Sequence, residues 1–120
     1  MTKKKQEDKI ALLQGTLDLL ILRVLIFGPQ HGQGIAGAIQ TQSEETFLVD
    51  HGSLYPALQR MESRGFITAE WGVSSNNRKA RFYTLTKVGR KQLEGQSRQW
   101  NRMSKAIHRI LETSCVAAAE

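Results

Sequence analysis

Asp50-His51-Gly52-Ser53-Leu54-Tyr55-Pro56-Ala57-Leu58-Gln59-Arg60-Met61 has the spacing of an amphipathic helix. Leu54, Leu58 and Met61 fall at i, i+4 and i+7, so they share one stripe that a core can cover. Projected at about 100° per residue, Pro56, Gln59, Arg60 and Ser63 face the other way. The proline bears on where the helix starts. An interior proline costs about 3 kcal/mol. With Ser53 as N-cap, Pro56 takes the third helical position, whose N–H has no intrahelical partner in any case. Gly65 supplies the left-handed residue that ends the helix.

Working outward, two extended segments, 66–71 and 80–85, are rich in β-branched and aromatic residues and flank a polar, turn-prone linker over 72–79. This is a hairpin pattern. Residues 71–93 hold six cations (Arg78, Lys79, Arg81, Lys87, Arg90, Lys91) and no acid, whereas residues 10–70 hold three cations against six acids. The net charge of +6 is therefore concentrated beside the helix. Such placement suits phosphate binding, because each neutralised phosphate releases condensed counterions; an ordinary solvated basic face is the competing reading. On the outer face of the helix, Gln59 can bond adenine bidentately and Arg60 guanine. Ser53, Tyr55 and Pro56 lie near the helix start, with the Tyr55 hydroxyl suited to a phosphate. Asn76, Asn77, Arg78, Lys79 and Arg81 would form a wing on the backbone or minor groove.

Upstream, residues 12–27 place apolar side chains at 13, 17, 20, 21, 24, 25 and 27, as a largely buried helix requires, and Gly28-Pro29 ends it. A short helix over 34–41 would bury Ile35, Ala38 and Ile39, and a turn at 43–46 leads on, giving a helix-turn-helix with a long connection. Thr86 can cap a last helix over 87–113. There Leu93, Trp100 and Ile107 recur every seven residues, with Gln96, Met103 and Ile110 three positions further on, a short heptad seam with one polar member. Gly89 and Gly95 each weaken that helix by up to about 1 kcal/mol, so packing must hold it. Trp100 fits an interface core; a pair of such rings across a dimer axis could also sandwich a flat ligand.

Other chemistry is disfavoured. The 120 residues suit one domain. Residues 1–9, with four lysines and two acids, read as a disordered arm. The lysines before the apolar run imitate a signal peptide, but Asp18 and Arg23 interrupt the run, no small-x-small site follows, and it is too short to span a bilayer. A soluble, cytoplasmic protein without a membrane partner is expected. Cys115 is the single cysteine, which excludes an intrachain disulfide and a thiolate cluster. Gly32-x-Gly34-x-x-Gly37 matches a dinucleotide fingerprint, yet the run before it is helical and no second parallel strand follows; the glycines better serve a turn and close packing. His31, His51 and His108 lack metal-ligand spacing. His31 suits a cap or turn, and His51 suits phosphate contact or plain solvation equally. No serine is paired with a base, and Glu44-Glu45 reads as a turn cluster, so neither catalysis nor a cofactor or metal is expected.

Over residues 12–111 the chain resembles the PadR family of winged-helix transcriptional regulators. The resemblance is carried by Gly15-Thr16-Leu17-Asp18-Leu19-Leu20-Ile21-Leu22, His31-Gly32, Gly52-Ser53-Leu54-Tyr55-Pro56-Ala57-Leu58 with Arg60, Gly65-Phe66-Ile67, and Arg81-Phe82-Tyr83-Thr84-Leu85-Thr86 with Gly89. It implies a homodimer joined through the first and last helices, and a repressor on an inverted-repeat operator in double-stranded DNA. A small aromatic effector that releases the DNA is a further implication, with Trp100 as its candidate contact. The single short C-terminal helix is similar to the shorter branch of the family. Gln33 and Gly34 depart from the family's aromatic and acid after His-Gly, and His51 from the residue usual before Gly-Ser-Leu-Tyr-Pro.

The expected fold is mainly α with a small β-hairpin: a winged helix-turn-helix plus a long C-terminal dimerisation helix. Its segments are a basic arm (1–10), a DNA-binding domain (11–86), a dimerisation helix (87–113) with Leu93, Trp100, Met103, Ile107 and Ile110 at the interface, and a flexible tail (114–120). Two other functions fit the same scaffold: an adaptor whose basic hairpin binds an acidic protein, and an effector-binding protein whose DNA binding is vestigial.

Overall fold

α1 (Gln14–Val24) and the 3-10 turn that prolongs it (Leu25–Phe27) form the centre of the fold in this computed structural model, which describes residues 10–11 and 14–113. The arm over 1–9 and the tail over 114–120, with Cys115, lie outside the described residues. Leu17, Ile21, Val24 and Leu25 are buried, as their spacing predicts, and Leu22 joins them, whereas Leu20 is only partly covered and Phe27, at the end of the run, is 71% exposed. Every other helix packs against α1: α2 (Gly32–Gln42), α3 (His51–Ser63) and α4 (Lys87–Glu112).

α2 begins at His31, whose Nδ1 accepts a hydrogen bond from the Gly34 N–H at 3.0 Å, the capping role read from the sequence. It buries Ile35, Ala36 and Ile39. α3 starts earlier than expected. Its N-cap is Asp50, which accepts from the Ser53 N–H at 2.8 Å and from the Ser53 hydroxyl at 3.3 Å. Ser53 is therefore the capped residue, not the cap, because the carboxylate upstream satisfies the orphan N–H groups and lets the helix start at His51. Pro56 then lies inside the helix. The bond it cannot make would go to the carbonyl of Gly52, an exposed residue that water can serve, which limits the cost. Leu54, Ala57, Leu58 and Met61 form the buried stripe.

After α3, Gly65 at φ 78° turns the chain into the wing, β4 (Ile67–Val73) and β5 (Lys79–Leu85). The strands are longer than the composition suggested, and the tip shrinks to residues 74–78. The Asn77 N–H donates to the Ser74 carbonyl at 2.9 Å, with Asn77 itself in the left-handed region at φ 59°. β2 (Gln30–His31) adds to β5, so the sheet order is β2-β5-β4, all antiparallel. A two-residue parallel pair joins β1 (Ile10–Ala11) to β3 (Phe47–Leu48). Ile10 thus belongs to the folded domain rather than to the arm, because its backbone pairs with Phe47.

Thr86 caps α4 as expected, accepting from the Gly89 N–H at 3.0 Å while its hydroxyl contacts the Gly65 and Phe66 carbonyls at 2.7 and 3.0 Å. That bond set pins the start of α4 to the end of α3. Leu93 is only 4% exposed and belongs to the chain's own core, which corrects its assignment to the dimer interface: the packing on α1 has already covered it. Further along, Trp100, Met103, Ile107 and Ile110 remain exposed on the free part of the helix. Among the described residues no helix is long and apolar enough to cross a membrane.

Gly89 decides how closely α4 approaches. A Cβ there would meet the Phe66 carbonyl oxygen and carbon and the Leu85 side chain, and the Phe66 contact is backbone that cannot rotate away. Gly89→Ala gains up to about 1 kcal/mol of helix propensity but is expected to lower stability by about 1 to 3 kcal/mol net through overpacking. Urea unfolding checks the sign; a more stable variant would show that α4 is not held at this distance.

Candidate nucleic-acid interface

The wing carries its side chains on two faces. Ile67, Ala69, Trp71 and Val73 share one face with their cross-strand partners Leu85, Tyr83, Arg81 and Lys79. At the base of the hairpin, Ile67 and Tyr83 are buried in the core. Toward the tip the same face runs out beyond the core, leaving Trp71 70% and Val73 63% exposed. The face that closes the core thus continues as an open surface beside α3.

Two grooves result. One lies between α3 and the strands and is lined by Tyr55, Gln59, Glu62, Ser63, Trp71, Arg81 and Tyr83. The other, about 270 Å³, lies between the start of α2 and the wing tip, where Gln33, Asn76, Arg78 and Lys79 join Tyr55. Tyr55, Arg81 and Tyr83 line both. Tyr55 occupies this junction because Gly32 lets its ring lie against the start of α2: a Cβ at position 32 would stand 2.8 Å from the Tyr55 ring and hydroxyl. His51 packs edge-on against the same ring, with centroids 5.7 Å apart. Burial pushes the Tyr83 phenol above its ordinary pKa, so it stays protonated and able to donate.

The sequence-derived site residues divide accordingly. Ser53, Tyr55, Pro56 and Gln59 are exposed on α3, and Asn76, Asn77, Arg78, Lys79 and Arg81 are exposed on the wing. Arg78 and Lys79 make no ion pair among the described residues. Arg81 is paired with Glu62 at 3.1 Å, an exposed contact worth no more than about 1 kcal/mol. Trp71, Val73 and Glu62 were not singled out in the sequence. The period-two register from Ile67 was the available signal for the first two, while Glu62 needed the folded contact with Arg81.

Arg60 is the correction. The wheel projection sets it beside Gln59 on the outer face, but its Nη2 donates to Asp18 Oδ1 on α1 at 3.1 Å. Arg60 stands at the margin of the buried stripe, and its long side chain reaches back to a carboxylate whose side chain is only 14% exposed. The Arg60 Nε is buried without a hydrogen-bond partner. Burial raises the pKa of Asp18, and the attraction of Arg60 only partly offsets it. Arg60 therefore braces α3 on α1, and Gln59 is the one of the two neighbours left exposed on the outer face.

Comparisons with known proteins agree with this fold. The model of the transcriptional regulator PadR-like family matches residues 21–95. A PadR family transcription regulator from Clostridium difficile is similar in structure, with a TM-score of 0.69 at 30% identity over 79% of this chain and 97% of its own. A PadR-like transcriptional regulator from Bacillus cereus gives 0.72 at 26% identity over 85% and 97%. An uncharacterized protein of Lysinibacillus sphaericus is 27% identical over 101 residues, covering 84% of this chain and 93% of that protein.

A double-mutant cycle of Asp18→Asn and Arg60→Met, followed by urea unfolding, should give a coupling of about 1 to 3 kcal/mol, above that of an exposed pair. The raised pKa sets the sign of the pH dependence. Folded chain keeps the Asp18 proton to higher pH than unfolded chain does, so this group's contribution to stability falls as pH rises from about 4 through the folded pKa. Asp18→Asn should remove that fall.

Proposed function

The chain belongs to the PadR family of transcriptional regulators, and from that premise we propose that it is a homodimeric repressor that reads an inverted-repeat operator with α3 and grips the flanking backbone with its wing. Regulators of this family bind DNA and are not enzymes. The observation that carries the reading is the open face beside α3, where exposed Tyr55 and Arg81 line one groove with Gln59 and the other with Arg78 and Lys79. Gln59 reaches base edges, bidentately at an adenine. Tyr55 and the wing-tip asparagines bond phosphates, and Arg81 exchanges Glu62 for a phosphate at little cost because the pair is exposed. Ser53 and Pro56 shape the start of the helix where it meets the groove.

Dimerisation is supported by the exposed apolar run of α4. Trp100, Met103, Ile107 and Ile110 recur with heptad spacing, which a second copy of the helix would cover. The two copies of α3 would then enter successive major grooves about 34 Å apart. A shallow groove of about 300 Å³ between α1 and α4, lined by Thr16, Leu19, Gln96, Trp100 and Met103, suits a flat aromatic effector. Gln96 Oε1 is buried there without a partner, so such a ligand would be favoured by carrying a hydrogen-bond donor.

Selection from randomised duplexes tests the reading. Gln59→Ala should relax preference at one position per half-site by about 1 to 3 kcal/mol. Arg78→Gln with Lys79→Gln should weaken binding to all sequences and reduce the salt slope by about 0.9 per lost phosphate contact. Retention of acidic proteins with no enriched DNA motif would favour the adaptor instead. Light scattering should give a dimer that Ile107→Glu converts to monomer, since the charge would be buried in the seam.

A further inference from the structure

We infer that the solvent face of α4 is a second contact surface for duplex DNA, separate from α3 and the wing. Lys87, Lys91, Arg98, Arg102, Lys105 and Arg109 succeed one another by four, seven, four, three and four residues, which places them on one stripe of the helix. All six are exposed, and none makes an ion pair among the described residues. The two acids of the helix, Glu94 and Glu112, sit on one edge of the stripe, three residues beyond Lys91 and Arg109, and no acid falls between Arg98 and Arg109. From Lys87 to Arg109 the stripe runs about 33 Å at 1.5 Å per residue, close to one turn of duplex at about 34 Å.

The pattern works against the helix itself. Neighbours at i+3 and i+4 with the same sign repel, and a merely solvated face gains by alternating Glu with Lys. The first turn has no acid and instead carries Lys87 and Arg90, against the positive end of the helix dipole. A run of four cations from Arg98 to Arg109 with no acid between them, kept against local stability, fits a polyanion that neutralises it. Among polyanions, the duplex is favoured by the length of the stripe and by the DNA binding of the family. A bilayer fits poorly, because the cations lie opposite the exposed Trp100, Met103 and Ile107 and would point away from headgroups when those residues were inserted.

The test uses the full-length protein and a fluorescent random-sequence duplex several turns long, titrated by anisotropy over a range of KCl concentrations. Arg98→Gln, Arg102→Gln, Lys105→Gln and Arg109→Gln combined should lower the log–log salt slope by about 1.8 to 3.6, for two to four lost phosphate contacts. The loss should add to that of Arg78→Gln with Lys79→Gln, and the melting temperature should stay the same or rise as repulsion is relieved. Arg98→Lys, Arg102→Lys and Arg109→Lys combined should keep the slope, since counterion release depends on charge; this variant also guards against misfolding of the first. An unchanged slope in the glutamine variant overturns the inference while leaving the wing reading intact. Sedimentation of the wild type, but not the variant, with phosphatidylserine vesicles alongside an unchanged duplex slope assigns the face to lipid and overturns it equally. Failure of operator selection with a reduced slope would sink the operator reading and leave this one standing.

Discussion

Asp18 sits on the one helix that every other helix touches, and its half-buried carboxylate is answered by Arg60 of α3. The rest of the molecule is arranged around that constraint. α1 presents Leu17, Ile21 and Leu22 to the core while placing Asp18 beside Arg60 of α3. The pair adds direction to a packing that apolar contact alone would leave freer, because a hydrogen-bonded ion pair has a preferred geometry and apolar surface does not. Since α4 also rests on α1, α3 and α4 are both positioned against the same helix.

The second organising feature is the junction of α3, the wing and α4. Thr86 bonds the Gly65 and Phe66 carbonyls just past α3 and also caps α4, and Gly89 lets α4 close on Phe66. The wing is the hairpin between those two fixed points, so its base is rigid and its tip is free. That explains why one strand face can be core at Ile67 and open surface at Trp71 without any change of register. The proposed DNA contacts of the wing lie on this open part and at its tip, where side chains are exposed.

Helix positions were legible in the sequence wherever apolar spacing was strong. Leu54, Leu58 and Met61 are the buried stripe of α3, and the heptad spacing of α4 leaves Trp100, Met103, Ile107 and Ile110 on its uncovered part. Cap identity was less legible. Asp50 and Ser53 are both good N-caps, and only the folded loop shows that the carboxylate takes the position and the serine N–H donates to it. The candidate site followed the same division: Arg78 and Lys79 were apparent from charge concentration, whereas Trp71 and Glu62 emerged only from strand register and a contact made across 19 residues.

By itself the chain determined the order of its helices and of the two hairpin strands, the sign of the charge on the wing and most residues able to form the core, because periodicity and composition act locally; the short strands β1, β2 and β3 needed partners distant in sequence. Tertiary structure decided what each polar side chain does. Arg60 and Gln59 are neighbours with similar prospects on a helical wheel; one is drawn inward by the carboxylate of Asp18, 42 residues away, and the other is left facing outward. Leu93 likewise looks like a seam residue by spacing, and burial against its own core removes it from the seam. A long side chain samples several directions, and a distant charge or an approaching surface selects among them, which no local pattern encodes.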